Sequence, residues 1–315
     1  MGVAFCRDER YADRVSHPNV VSCLWFDKNA AEAAEFYVRA LPGGRIDKTA
    51  HSPESVDTPS GAPRGSVLTV AFEAGGRAFI AVNGGPHFKP TPSISFFVEL
   101  DSAAEVDRVA SALADGGQAL MPVGSYPWSE RYGWVQDRYG FTWQIMLARA
   151  PGAGPQIFPC LMFSDAQHKR AEEAMRRYVE IFPGSELGAI ARYEAGEGDV
   201  GTVKHGRFKL AGQLFAAMDS HVPHGFAFNE AISFQVMCKD QAEVDRYWME
   251  LSAGGSESRC GWLKDRFGLS WQIVPVDMPR WMTSGDAAAR DRTFQAMLPM
   301  KKLDIATLAR AFEGR

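Results

Sequence analysis

Apolar residues recur with the period of an α-helix in four segments of the chain. In the second segment, Ser102 and Glu105 form a capping-box pattern, and Gly116 and Gly117 follow the last apolar position. The apolar face of this segment consists of Val106, Val109, Ala110 and Leu113. These features predict a short helix with one buried side.

The other helical segments have a similar design. Asp240 and Glu243 open the fourth segment, and Gly254 follows its end. Its apolar face consists of Val244, Tyr247, Trp248 and Leu251. We expect the first and third helices near residues 29–41 and 166–182, where each ends at a Pro-Gly pair.

Strand patterns fill the spaces between the helices. In the first half of the chain, runs rich in β-branched and aromatic residues lie at 67–72, 78–82, 94–100 and 143–147. Because runs of this composition suit a mainly antiparallel sheet, they predict an α+β fold. The expected sheet is curved, mainly antiparallel and folded over a cleft.

The same patterns occur twice along the chain. The matched segments are GWVQDRYGFTWQI at 133–145 with GWLKDRFGLSWQI at 261–273, Ser95-Phe96-Phe97-Val98 with Ser233-Phe234-Gln235-Val236, and Cys23-Leu24-Trp25-Phe26 with Cys160-Leu161-Met162-Phe163. We therefore predict two modules, residues 17–150 and 155–276, each made of two βαβββ-like units. A Pro/Gly-rich linker joins them. The tail at 277–315 is predicted to be helical, with Asp304 as a helix cap.

Length and charge narrow the classes of protein. With 315 residues and 46% hydrophobic content, the chain is long enough for two cores. Its net charge of -4 includes no long run of either sign, which argues against nucleic-acid and membrane partners. The sequence has no signal-peptide core and no apolar run of about 18 residues, so we expect a cytoplasmic protein. The five cysteines form no CxxC pair and are expected to be free thiols.

Both copies close on the motif D-x-[FY]-G-x-x-W-Q-I. Other characteristic segments of the second copy are Phe228-Asn229-Glu230-Ala231-Ile232-Ser233, Asp245-Arg246-Tyr247-Trp248 and Met297-Leu298-Pro299-Met300-Lys301-Lys302-Leu303-Asp304. With these segments the chain resembles the PhnB-like branch, named after 3-demethylubiquinone-9 3-methyltransferase, of the glyoxalase, bleomycin-resistance and dioxygenase (vicinal oxygen chelate) superfamily. The match covers most of 155–315 and is looser in the first copy.

The resemblance implies tandem glyoxalase-like modules, each made of paired βαβββ units. Single-copy relatives generally pair, so fusion of two copies is expected to supply that pairing within one chain. A homodimer of the whole chain is the alternative assembly.

Enzymes of this superfamily typically hold a divalent metal with histidine on opening strands and glutamate on closing strands. Here the histidine position falls near Val20 in the first copy and at 157–160 in the second, and neither contains histidine. The glutamate positions are occupied by Gln144 and Gln272, whose neutral amides supply no charge. We therefore predict no metal site and no cofactor, and a divalent metal is disfavoured.

Several side chains are candidates for contact with a ligand. Trp and Gln on adjacent strand positions point to opposite faces, so only one of each closing pair faces the cleft, and the resemblance favours glutamine. We predict ligand contacts from Trp134, Gln144, Asp219, His224, Asn229, Trp262 and Gln272. Glu230 is the candidate general base, with a polar anchor as the alternative role. His221 and His224, near Asp219 and Glu230 in sequence, suggest either a replacement metal site or an ordinary solvated loop.

Two further patterns are weaker indications of catalysis or cofactor binding. Cys23 and Cys160 occupy matching strand positions without a thiolate-stabilising neighbour, which favours packing over nucleophilic catalysis. The glycines at 196, 198 and 201 match a dinucleotide pattern, but the segment lies between strands. No strand-loop-helix unit suits S-adenosylmethionine, so methyltransferase activity is not expected.

Two functions follow from these observations. The first is a glyoxalase-fold protein that binds a small planar or aromatic molecule in a metal-free cleft. The alternative is a lyase, isomerase or dioxygenase that uses a metal or Glu230 as base. The sequence therefore leaves open whether the protein is an enzyme.

Overall fold

The computed structural model describes residues 20–148, 152 and 154–315. The strands are β1 (Val20–Phe26), β2 (Arg45–His51), β3 (Val67–Ala74), β4 (Arg77–Asn83), β5 (Ile94–Leu100), β6 (Gln118–Tyr126), β7 (Ser129–Gln136), β8 (Thr142–Leu147), β9 (Gln156–Phe163), β10 (Glu186–Arg192), β11 (Val203–Leu210), β12 (Gln213–Asp219), β13 (Ile232–Cys238), β14 (Ser256–Glu257), β15 (Trp262–Lys264) and β16 (Ser270–Pro275). The helices are α1 (Ala30–Ala40), α2 (Ala103–Ala114), α3 (Ala171–Ile181), α4 (Gln241–Ser252), α5 (Met278–Met282), α6 (Ala287–Met297) and α7 (Ile305–Glu313). The α+β prediction is confirmed.

The strands form two eight-stranded sheets, and each sheet contains strands of both copies. Sheet A has the order β14-β15-β16-β13-β1-β4-β3-β2, and sheet B has the order β10-β11-β12-β9-β5-β8-β7-β6. The copies meet where β1 pairs antiparallel with β13 and where β5 pairs antiparallel with β9. The two copies of the repeat are therefore joined by backbone hydrogen bonds in both sheets.

The predicted helix caps are present. Ser102 Oγ accepts from the Glu105 backbone N–H, as an N-cap residue does, and donates to the Glu105 carboxylate. The side chain of Asp240 caps α4, and that of Asp304 caps α7. The third helix begins at Ala171 and not near 166. A short 3₁₀ turn precedes it, and positive φ angles at 165 and 169 prevent a continuous α-helix there.

The repeated D-R-[YF]-G motif fastens the closing strands to the helical core. Asp137 accepts from the Tyr37 hydroxyl and Trp143 Nε1, each at 2.8 Å, and from two backbone N–H groups. Asp265 makes the matching bonds with Tyr178 and Trp271. The closing tryptophans therefore point into the core.

The faces of the two sheets opposite the helical core differ. We call this surface of sheet A face A, and Val21, Met237 and Val274 lie on it. It packs against buried side chains of the tail, namely Met278, Trp281, Leu303 and Leu308. The tail is held by backbone bonds from Cys260 to Met300 and from Gly261 to Lys301, at 2.7 and 2.8 Å. The tail thus docks on the modules. None of the helices within the described ranges is long and apolar enough to cross a membrane.

Candidate functional site

The corresponding surface of sheet B, face B, carries a separate apolar cluster. Its buried members are Phe97, Tyr132, Met146, Phe158, Cys160 and Ala216. The partly buried side chains packed against them are Met121, Tyr126, Trp134, Leu214 and Met218. All of these residues lie on strands. The cluster therefore forms a sheet surface of graded exposure.

Aromatic rings dominate this surface. The rings of Phe97 and Phe158 stack with centroids 5.3 Å apart. At the β6–β7 hairpin, Tyr126 stacks on Trp128 at 5.2 Å, and Tyr132 lies edge-on to both rings. Trp128 remains 47% exposed. Flat apolar walls thus extend from the centre of face B to its rim.

One side of face B carries charge. Arg207 on β11 forms an ion pair with Glu99 on β5. The guanidinium lies 5.1 Å from the ring centroid of Phe158, a distance typical of a cation–π contact. The ring of His205 meets Phe97 edge-on at 5.7 Å. The charge of Arg207 is balanced within the protein.

The two closing glutamines bridge neighbouring strands. Gln144 Nε2 donates to Ser95 Oγ at 2.8 Å, and its Oε1 accepts from the Tyr132 hydroxyl at 2.7 Å. Gln272 donates to Ser233 Oγ at 2.9 Å and accepts from Gln235 at 2.8 Å. As predicted, each glutamine points away from the core that its neighbouring tryptophan enters. Both amides already have donor and acceptor partners inside the protein.

A cysteine accompanies each of these bridges. Cys23 lies in register with Ser233, and Cys160 lies in register with Ser95. Burial raises the pKa of the Cys23 thiol to about 11 and that of the Cys160 thiol to about 12. At neutral pH both side chains are therefore uncharged thiols, which agrees with the packing role.

The donor sets around these glutamines do not fit a hard divalent cation. Cysteine thiols, serine hydroxyls and amides supply no negative charge, whereas such cations favour carboxylates and deprotonated ligands. Across residues 20–148 and 154–315, no group of three or more His, Cys, Asp and Glu side chains is placed to hold a metal ion. Within these ranges His221, His224, Asp219 and Glu230, the residues of the alternative histidine-loop site, form no such group.

Four further predicted site residues, Asp219, His224, Asn229 and Glu230, also have partners within the protein. Asp219 is buried and accepts from the backbone N–H groups of Ala171 and Val203, so it fixes the start of α3. The matching residue of the first copy, Asn83, accepts from the N–H of Ala30 at the start of α1. His224 Nε2 forms a hydrogen bond with the Ser220 hydroxyl at 2.8 Å, and its ring stacks on that of Phe226.

Asn229 and Glu230 lie before β13. The Asn229 amide donates to the carbonyl of Lys89 and accepts from the N–H of Ala231. The Glu230 carboxylate lies 2.9 Å from Lys264 Nζ. The ligand-binding and general-base roles of these residues remain predictions.

The predicted tryptophan and glutamine residues are divided between the two sheets. Trp134 and Gln144 lie opposite each other on sheet B, and Trp262 and Gln272 lie opposite each other on sheet A. The Trp262 ring meets Trp25 edge-on at 5.8 Å. They therefore belong to two separate surfaces.

Phe97, Tyr132, Phe158 and Arg207 were not predicted as site residues. A signal was available for Phe97, because the repeat places Gln235 at the matching position of the second copy. A bulky aromatic residue at one such position and an amide at the other indicates that the two faces have different roles.

Known proteins share both the sequence pattern and the fold. The family model described as 3-demethylubiquinone-9 3-methyltransferase matches residues 18–146 and 155–274. A putative 3-demethylubiquinone-9 3-methyltransferase, PhnB protein, from Bacillus cereus is 32% identical over 41% of this chain and 98% of its own, with a TM-score of 0.37. A Pseudomonas aeruginosa protein is 28% identical over 40% of this chain and 93% of its own, with a TM-score of 0.34.

Glyoxalase I from Zea mays covers more of the chain. It is 12% identical over 82% of this chain and 92% of its own, with a TM-score of 0.52, and thus shares the fold. No curated protein sequence matches the chain. Because the family model spans both copies, the chain belongs to the 3-demethylubiquinone-9 3-methyltransferase family.

Proposed function

We propose that the protein binds a small, planar and largely apolar molecule on face B, without a metal. The observation that carries this proposal is the difference between the two faces. Face A packs against tail side chains such as Trp281 and Leu308, whereas the members of the face B cluster all lie on strands. Face B is therefore the surface that we expect a ligand to use.

The side chains of face B suit a flat ring system. Phe97, Phe158 and Tyr132 form a rigid buried aromatic base with little conformational entropy to lose, and Trp128 presents a ring that is 47% exposed at the rim. Met121 and Met218 are flexible and polarisable, so they are able to move aside and repack around a ligand. Hydrophobic and aromatic side chains with a few polar groups are typical of sites that bind small molecules.

The polar groups on this face favour an uncharged ligand. Arg207 is paired with Glu99, and the amide of Gln144 is bonded to Ser95 and Tyr132. A charged ligand would have to break the ion pair or lose its own hydration without a counter-ion. A neutral aromatic molecule avoids both costs.

The experiment is a fluorescence titration of the full chain with N-phenyl-1-naphthylamine, an uncharged aromatic probe. The Phe97→Gln variant carries the residue of the matching position in the second copy, and we expect it to weaken binding about tenfold or more. Met249→Ala, at a position 63% exposed on α4, is the control and should bind as the native chain does. EDTA should leave the affinity unchanged.

Three results would contradict the proposal. These are the lack of saturable binding to the native chain, equal binding to the Phe97→Gln variant, and loss of binding in EDTA. The third would contradict only its metal-free part.

A further inference from the structure

We infer that the molecule bound on face B carries a hydrogen-bond acceptor, such as a carbonyl oxygen, that accepts a hydrogen bond from the indole N–H of Trp134. This inference rests on the proposed function and specifies the class of ligand. The ligand would be a neutral planar aromatic molecule with an acceptor oxygen at the edge of its ring system.

The starting observation is an unsatisfied donor. Trp134 Nε1 is buried and has no hydrogen-bond acceptor in the part of the chain that the structure describes. Leaving a buried N–H unpaired costs about 1–3 kcal/mol, and buried indole groups usually find a partner. An unpaired donor on a binding surface is therefore a group that a ligand would satisfy.

Neither side chain in register with Trp134 accepts from this N–H. Gln144 lies opposite on β8, but its carbonyl oxygen accepts from the Tyr132 hydroxyl at 2.7 Å. Met121 lies opposite on β6, and a thioether sulfur is only a weak acceptor. An oxygen atom of a ligand would thus be the strongest acceptor available.

The matching position of the second copy shows what closes this space on face A. There Trp262 meets the ring of Trp25, with centroids 5.8 Å apart. In sheet B the residue that corresponds to Trp25 is Met162, in register with Met218. Methionine is smaller and more flexible than tryptophan, so its movement would let a ligand edge reach Trp134, whose Nε1 is buried in the unliganded protein.

The test compares two probes of nearly equal shape, 2-acetylnaphthalene and 2-ethylnaphthalene. Calorimetric titration of the full native chain should show about tenfold tighter binding of the acetyl probe, the effect of one net hydrogen bond. In Trp134→Phe, which keeps an aromatic ring and removes the N–H, both probes should bind with the affinity of the ethyl probe.

Trp248→Phe is the matched control. Trp248 lies on α4, and its indole N–H already donates to Glu257. The preference for the acetyl probe should therefore persist in this variant. Equal binding of the two probes to the native chain would overturn the inference and leave the proposed function intact. A preference that persists in Trp134→Phe would also overturn it. Binding of neither probe would contradict the proposed function itself.

Discussion

Cys23 on β1 and Ser233 on β13 lie opposite each other in antiparallel register, although they belong to different copies of the repeat. Cys160 and Ser95 have the same relationship in sheet B. Each Cys-Ser pair, together with the glutamine bonded to its serine, therefore requires both copies. Tandem duplication accounts for this arrangement, because one chain supplies both partners.

These cysteines should react slowly. Burial raises the pKa of Cys23 to about 11 and that of Cys160 to about 12, so at pH 8 the thiolate population is about 100-fold or more below that of an ordinary cysteine. Peptide mass spectrometry after iodoacetamide treatment should find partly exposed Cys260 modified before Cys23 and Cys160. Urea should remove the difference, and rapid labelling of Cys160 in native buffer would contradict the prediction.

The two modules should stay together after the linker is cut. A protease site inserted at 149–153 leaves the β1–β13 and β5–β9 pairings and the core between them intact. We expect the two fragments to co-elute in size-exclusion chromatography and to separate only in denaturant. Two independently folded fragments that separate in native buffer would show instead that each copy is self-sufficient.

The tail should contribute strongly to stability. Trp281 is 1% exposed against face A, so Trp281→Ala should lower the free energy of unfolding by about 3–5 kcal/mol in urea titrations. Trp128→Ala, which removes a side chain 47% exposed, should cost less than about 1 kcal/mol. Similar losses in the two variants would argue that the tail is only loosely docked.

Asp137 should make stability depend on pH. Burial raises its pKa from 3.8 to about 6, although its hydrogen bonds to Trp143 and Tyr37 lower it. The folded protein therefore binds this proton more tightly than the unfolded chain, and the associated stability is lost as the pH rises from about 4 to about 6.

The Asp137→Asn variant lacks this titration. Relative to the native chain, its free energy of unfolding should increase by up to about 3 kcal/mol between pH 3.5 and 7, measured by chemical denaturation at each pH. A difference that stays constant with pH, or that moves in the opposite direction, would refute the assignment.

Local patterns predicted much of the fold. The helix caps at Ser102, Asp240 and Asp304 follow from side-chain chemistry within one helical turn. The start of α3 was missed because left-handed backbone at Asp165 and Lys169 is not visible in a periodic pattern. Asp219 was selected for its chemical type, yet its carboxylate is bonded to the backbone at the start of α3.

The sequence by itself determined the duplication, the α+β class, the helix caps and the opposite directions of Trp143 and Gln144. These features depend on neighbours along the chain or on strand alternation. Only the tertiary structure decided that each sheet combines both copies and that the tail covers face A. Only the tertiary structure also decided that the Trp134 N–H on face B has no acceptor among the described residues. Such relationships depend on contacts between residues far apart in sequence. A periodic pattern does not specify which distant residues pair.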